Sequence, residues 1–210
     1  MFSSLPHRYR PGPWAILLAL SAQVQAGPQG GVLVNGQAVI QQSTQFGKSI
    51  TTITQTSPKA TLNWQSFNIA SGETVRFVQP DASSLIINRV NDTQASRLLG
   101  QLSANGQVWL INPAGVYVGP GAQVNVAALL AGTLNLSELT QPALLKGPVK
   151  ADGNSASVVN EGQVRTAPGG YVALLGNEVL SSGDIYAPAG RILLLGDATK
   201  GSVSLNGRLD

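Results

Sequence analysis

The second half of the chain repeats itself, and that repeat limits the architectures open to it. Gly162-Gln163-Val164 returns as Gly183-Asp184-Ile185, and Gly169 returns as Gly190 at the same offset. Tyr171-Val172-Ala173-Leu174-Leu175-Gly176 returns as Arg191-Ile192-Leu193-Leu194-Leu195-Gly196 at nearly that offset. A related copy lies upstream, where Gly106-Gln107-Val108 leads to Gly115-Val116-Tyr117-Val118-Gly119, and Gly201-Ser202-Val203-Ser204-Leu205 opens another. A fixed period of about 20 residues with several short strands per copy is the mark of a solenoid, in which each repeat buries its apolar side only against its neighbours. Helical repeats need a 3.6-residue periodicity, and leucine-rich repeats a stricter Leu/Asn ladder; neither is present. The expected fold is therefore all-β: a right-handed parallel β-helix with an N-terminal β cap and short excursions from the coil. The hand follows from the strong preference of parallel crossovers. At roughly 20–25 residues per coil, the chain makes about seven to nine coils. Short helices are expected as excursions at Thr93 to Leu102 and Ser137 to Lys146.

Aligning the repeats assigns faces, because side chains alternate along a strand. Val172 and Ile192 point inward and stack, as do Leu174 and Leu194. Tyr171 and Arg191 point outward. The same alternation sends Leu175 and Leu195 outward, where either the stretch Leu134 to Val149 covers them or they form a docking strip.

The sequence has no Cys and a single His, His7. That excludes a disulfide scaffold, a Cys-ligated metal site and a thiol nucleophile. Residues 1–26 read as a secretory signal peptide: Arg8 and Arg10 without acids, the apolar run Trp14 to Leu20, then Val24-Gln25-Ala26 before cleavage. The run falls far short of the roughly 20 residues a membrane span needs. Removing 1–26 takes two of the 13 basic residues and none of the 10 acids, so the net charge drops from +3 to +1. Lys48, Lys59, Arg76, Arg89 and Arg97 are dispersed rather than clustered, which argues against a nucleic-acid partner.

The first half of the mature chain, 27–210, carries an ordered set of motifs. Thr61-Leu62-Asn63-Trp64-Gln65-Ser66-Phe67-Asn68-Ile69 is followed by Gly72 to Pro80 with Gln79-Pro80 at its end. Then come Asn88-Arg89-Val90 and Gly100 to Val116, which includes Asn105-Gly106 and Asn112-Pro113-Ala114-Gly115-Val116. This series resembles the N-terminal secretion domain of filamentous-haemagglutinin-type exoproteins, the passengers of two-partner secretion. The resemblance covers residues 30 to 136 by motif and continues as coil repeats. It departs from the family at Asn-Pro-Asn-Gly-Ile: here Ala114 replaces an Asn able to hydrogen-bond the turn, and Val116 replaces Ile. Family members usually run on into a much longer adhesin, so this chain is expected to be truncated at Asp210.

The resemblance implies a role without catalysis or cofactor. The chain would cross the inner membrane unfolded and be recognised by the periplasmic domains of an outer-membrane β-barrel transporter. It would then fold at the surface of a Gram-negative cell, templating the coils that follow. A host-surface glycan or receptor would be bound through a downstream region. Taken alone, Asn112-Pro113-Ala114-Gly115 is a coil corner by composition, and Trp64, Phe67, Phe77 and Trp109 are packing residues. Arg89 would pair with Asp92 or Asp81. Two other readings remain open. A β-helical polysaccharide-degrading enzyme needs paired carboxylates, and only Glu161 and Asp184 fall close on neighbouring coils. A stand-alone carbohydrate- or receptor-binding adhesin needs an aromatic or charged groove.

Overall fold

The computed structural model describes residues 27–133, 156–196 and 203–205. The signal-peptide expectation for 1–26, the helix expected at Ser137 to Lys146 and the cover suggested for Leu175 all fall outside those residues. In chain order the strands are β1 (Val32–Asn35), β2 (Ala38–Gln45), β3 (Lys48–Gln55), β4 (Lys59–Trp64), β5 (Thr74–Val78), β6 (Leu85–Val90), β7 (Ser96–Leu98), β8 (Gln101–Ala104), β9 (Gln107–Ile111) and β10 (Val116–Val118). They continue as β11 (Gln123–Val126), β12 (Ala128–Gly132), β13 (Ser157–Asn160), β14 (Gln163–Thr166), β15 (Tyr171–Leu175), β16 (Glu178–Ser181), β17 (Asp184–Tyr186), β18 (Arg191–Leu195) and β19 (Val203–Leu205).

These strands form three sheets. Sheet I runs β1-β4-β6-β9-β12-β15-β18, sheet II runs β2-β3-β5-β8-β11-β14-β17, and sheet III runs β7-β10-β13-β16-β19. The chain visits II, I and III in rotation, so each circuit is one coil of a β-solenoid of about six turns. Ile69 bridges Leu98 in parallel and carries sheet III one position further toward the start.

The sequence register holds residue for residue: Val172 lies on Ile192, Leu174 on Leu194 and Gln163 on Asp184. Two expectations fail. There are fewer coils than seven to nine, because the step between stacked strands is not constant. Val116 lies on Ser96, but Val158 lies on Val116, about twice as far along the chain. The extra length falls at 134–155, outside the described residues. Thr93 to Leu102 is also not helical. Its β7 portion pairs with β10, and the Ser96 amide donates to the Gly115 carbonyl at 3.0 Å. A strand on the neighbouring coil outweighs the local helical preference.

Sheet I differs from the other two. Its inward row Ile86, Val108, Leu129 and Val172 belongs to the central core. Its outward row Ile87, Trp109, Leu130 and Ala173 is buried too and forms a second apolar cluster with Ile111 and Leu175. That explains uninterrupted runs such as Val108-Trp109-Leu110-Ile111, the pattern of a strand covered on both faces. Leu175 points outward as expected and is nonetheless buried; Leu195 beside it is half-buried. Sheets II and III instead alternate buried with more exposed positions, as in Gln123–Val126 and Gln163–Thr166.

The first end is closed by two antiparallel strands. β1 pairs with β4, and β2 pairs with β3 along its whole length, from Ala38↔Gln55 to Gln45↔Lys48. The turn between β2 and β3 is Phe46-Gly47, with φ of 51° and 73°. Positive φ at both central residues defines a type I′ turn, which suits the twist of a hairpin and prefers Asn-Gly. A bulky Phe there costs of order 1 kcal/mol.

Candidate functional site

The motif residues singled out in the sequence gather into three separate clusters. None of them is a catalytic constellation.

The first is the corner between β9 and β10. Asn112 follows β9 directly and is fully buried. Its Oδ1 accepts from the Ala114 amide at 2.9 Å, and its carbonyl accepts from the Gly115 amide at 2.9 Å. Its Nδ2 donates to the Gln94 carbonyl and the Ser96 hydroxyl, each at 3.0 Å, on the preceding coil. Gly115 takes φ of +121°, and a Cβ there would lie 3.1 Å from both Ala95 Cβ and the Ser157 carbonyl. The coils on either side leave little room for a side chain, and the positive φ is what calls for glycine here. Val116 turns inward and is buried, whereas Pro113 is exposed and Ala114 half-exposed. The turn keeps both its bonds without a polar side chain at 114, since Asn112 and the backbone supply them.

The second cluster is the corner between sheets II and I. The Gln79 amide donates to Asn105 Oδ1, and Asn105 Nδ2 donates back to the Gln79 carbonyl, both at 2.7 Å. The Asn105 side chain thereby stands in for a ladder residue of the next coil. Gln79 Nε2 donates to Gln55 Oε1 at 3.1 Å and to the Ser84 carbonyl at 3.0 Å. A Cβ at Gly106 would come within 2.6 Å of the Gln79 amide carbon, so Gly106 makes room for that side chain. Pro80, next in sequence, is exposed.

The third cluster lies inside the first coils. The Trp64 indole donates to Asn88 Oδ1 at 2.9 Å, and Asn88 Nδ2 donates to the Trp109 carbonyl at 3.2 Å. Phe67 meets Trp64 edge-on, 5.5 Å between centroids and 82° between planes. Val90 is buried in the same core. Asn88 sits in an otherwise apolar inward row between Leu62 and Leu110. Arg89 faces the other way. Its Nε is buried without a hydrogen-bond partner, and among the described residues no ion pair joins it to Asp81 or Asp92. Asp81 is held instead by Ser83 and Ser84, whose hydroxyls and amides keep its carboxyl below the usual range.

Sequence reasoning misses the coil-to-coil partners Gln55 and Ser96, the local partner Ser84, and the equivalent pair Asn160–Ser181 (3.2 Å). A signal exists: Gln55 precedes Gln79, and Asn160 precedes Ser181, by about one repeat length each. Phe77 is core as expected, while Trp109 belongs to the outer cluster and donates to the Tyr171 hydroxyl at 2.8 Å.

The two acids of the enzyme reading do share a shallow groove with Gln123 and Gln163. Glu161, however, is engaged: the Tyr117 hydroxyl donates to it at 2.5 Å, and Arg97 stacks on the Tyr117 ring. The bond to the Glu161 carboxylate raises the Tyr117 phenol above its ordinary value.

Known proteins give the arrangement its context. The TPS (two-partner secretion) secretion domain matches residues 24–208, and it is a secretion module rather than an enzyme family. A heme/hemopexin-binding protein of Haemophilus influenzae is 36% identical over 171 residues, 76% of this chain and 18% of that protein. A second H. influenzae heme/hemopexin-binding protein is 44% identical over 90 residues, 43% of this chain and 10% of that protein. The chain thus spans under a fifth of these curated relatives. The crystal structure of the HMW1 secretion domain from H. influenzae superposes with a TM-score of 0.66 at 27% identity, covering 87% of this chain and 58% of that one. With the family matched from end to end of the solenoid, the chain belongs to the TPS secretion domains.

Proposed function

We propose that this domain leads a longer haemagglutinin-type exoprotein to a dedicated outer-membrane transporter and then starts the coil that the rest of the passenger extends. Residues 1–26 act as its leader into the periplasm. The observation that carries this reading is the family match over residues 24–208 on a solenoid whose first end is closed by antiparallel strands.

The Asn112 corner supports a sequence of events. In the folded coil Asn112, Gly115 and Val116 are buried, and only Pro113 and Ala114 of the motif reach the surface. A transporter that reads the buried positions must read them while the chain is extended. Extended segments with alternating apolar side chains add readily to the open edge of another sheet. Folding on the far side then hides the same residues, and a closed coil cannot return through a narrow pore. Slow, non-local parallel pairing keeps the chain open in transit. Ligands of the whole exoprotein, such as those named for the heme/hemopexin-binding relatives, would be met by the passenger beyond this domain.

The test is export of the chain with and without its co-expressed transporter, for the native sequence and for Asn112→Ala and Ala114→Asn. Transporter-dependent appearance in the medium, reduced by Asn112→Ala and retained by Ala114→Asn, is expected. Equal export without the transporter would remove the proposal.

A further inference from the structure

Phe46 is the most exposed large apolar residue of the described chain, 94% accessible, and it occupies a left-handed turn position that bulky residues avoid. Exposure and strain coincide on one side chain that supports nothing in the fold. It stands at the tip of the β2–β3 hairpin. The tip overhangs the solenoid, since β3 begins at Lys48 while its pairing with β5 begins only at Ile50. Val32, Val34 and Val39, on the same two terminal strands, are also more than half exposed. The outer edges of β1 and β2 have no partner among the described strands.

Charge sets this end apart. From Gly27 to Gly72 the only charged residues are Lys48 and Lys59, with no Asp or Glu. The remaining described residues carry six acids (Glu73, Asp81, Asp92, Glu161, Glu178, Asp184) and five arginines. A basic end whose adjoining acid, Glu73, is buried and bonded to the Ala70 amide, and which presents an aromatic tip and scattered valines, is complementary to an anionic amphiphilic surface. There a ring settles at the headgroup boundary and lysines meet phosphate. Free strand edges suit that depth as well, because headgroups and water satisfy their amides where a hydrocarbon interior would not.

We propose that the capped end is a lipid-docking surface, with Phe46 as its anchor and Lys48 beside it, which seats the solenoid on the phosphate-bearing lipid of the cell's outer surface so that later coils grow away from the membrane. This rests on the reading of the chain as an exported module, but its test does not depend on export.

The purified, folded chain would be floated with vesicles of phosphatidylethanolamine and phosphatidylglycerol, and in parallel with vesicles of phosphatidylcholine alone. Co-flotation with the anionic vesicles only is expected, with loss at about 1 M salt, where the screening length falls to about 3 Å. Phe46→Asn separates anchoring from folding, because Asn-Gly is the preferred type I′ pair. That variant should unfold at the same or a higher temperature and yet bind about tenfold more weakly, the effect of losing one partly buried aromatic. Lys48→Glu should weaken binding to the anionic vesicles without changing the unfolding temperature. Undiminished binding by Phe46→Asn would overturn the proposal, as would failure of the parent to float. A concentration-dependent dimer that Phe46→Asn abolishes, without any vesicle binding, would instead make this end a contact between copies and would equally overturn it.

Discussion

The two ends of the solenoid are built differently. At the first, the chain doubles back, and antiparallel β1 and β2 lie across strands that otherwise pair only in parallel. Behind them Ile53, Leu62, Trp64 and Phe67 are sealed from solvent. At the other, β17 and β18 are the last described strands of their sheets and pair only in parallel, and the inward residues Ile192 and Leu194 are half-buried. A parallel edge accepts a further coil, whereas the antiparallel cap breaks the register that such addition needs. In the reading proposed above, growth has one direction and begins at the closed end.

Substitutions at matched depths should expose this contrast. The largest effect is expected at the closed end. Trp64→Ala leaves a cavity, removes the edge contact with Phe67 and strips Asn88 of its donor, which should cost about 3–5 kcal/mol in denaturant unfolding. Leu194→Ala, in the last coil, should cost about 1 kcal/mol because its side chain is already half in water. Equal losses would erase the distinction between the ends.

Buried amides come next. Asn88→Ala leaves the Trp64 indole without its acceptor and removes a bond to the Trp109 carbonyl inside the core, a loss of about 2–3 kcal/mol. Asn112→Ala should cost about 1–2 kcal/mol, since it frees backbone groups close to the surface of the coil. Chemical denaturation of the two variants side by side distinguishes interior from corner.

A smaller effect is set by pH. Burial lifts the Tyr171 phenol above its ordinary 10, partly offset by the indole of Trp109. The neutral phenol is favoured in the folded chain, so this contribution is complete below pH 10 and is lost as the pH rises through the folded value. Native protein should lose stability as the pH rises from 10 toward the folded value, and Tyr171→Phe should flatten this alkaline limb. Tyr117, raised by Glu161, titrates on the same limb, so Tyr117→Phe is the control. The smallest change is a gain: Phe46→Asn should stabilise the hairpin by about 0.5–1 kcal/mol by relieving the left-handed Phe, seen as a higher unfolding temperature.

Where the chain repeats, the sequence is readable to single residues. Val172 over Ile192 and Gly162 beside Gly183 need only the period, because a parallel ladder converts sequence offset into contact. Legibility ends where that rule is suspended. The β2–β3 hairpin escapes notice because Phe46 occupies the place where Asn would announce the turn. Thr93 to Leu102 looks helical locally, yet the Ser96 amide goes to Gly115 on the next coil. The coil number expected from the period is too high because the spacing doubles once, between β10 and β13. The motif residues are legible as a set but not as three clusters, since Gln79 meets Asn105, and Trp64 meets Asn88, only across a full coil. Ala114 proves harmless to the turn because the Asn112 side chain, rather than one at 114, accepts the turn's amide.

Hydrogen exchange on the folded, secreted chain tests the directional account most directly. Protection should be greatest in β3 to β6 behind the cap and should decline coil by coil toward β18. Uniform protection, or a maximum at the β17–β18 end, would contradict a solenoid that starts from its closed end.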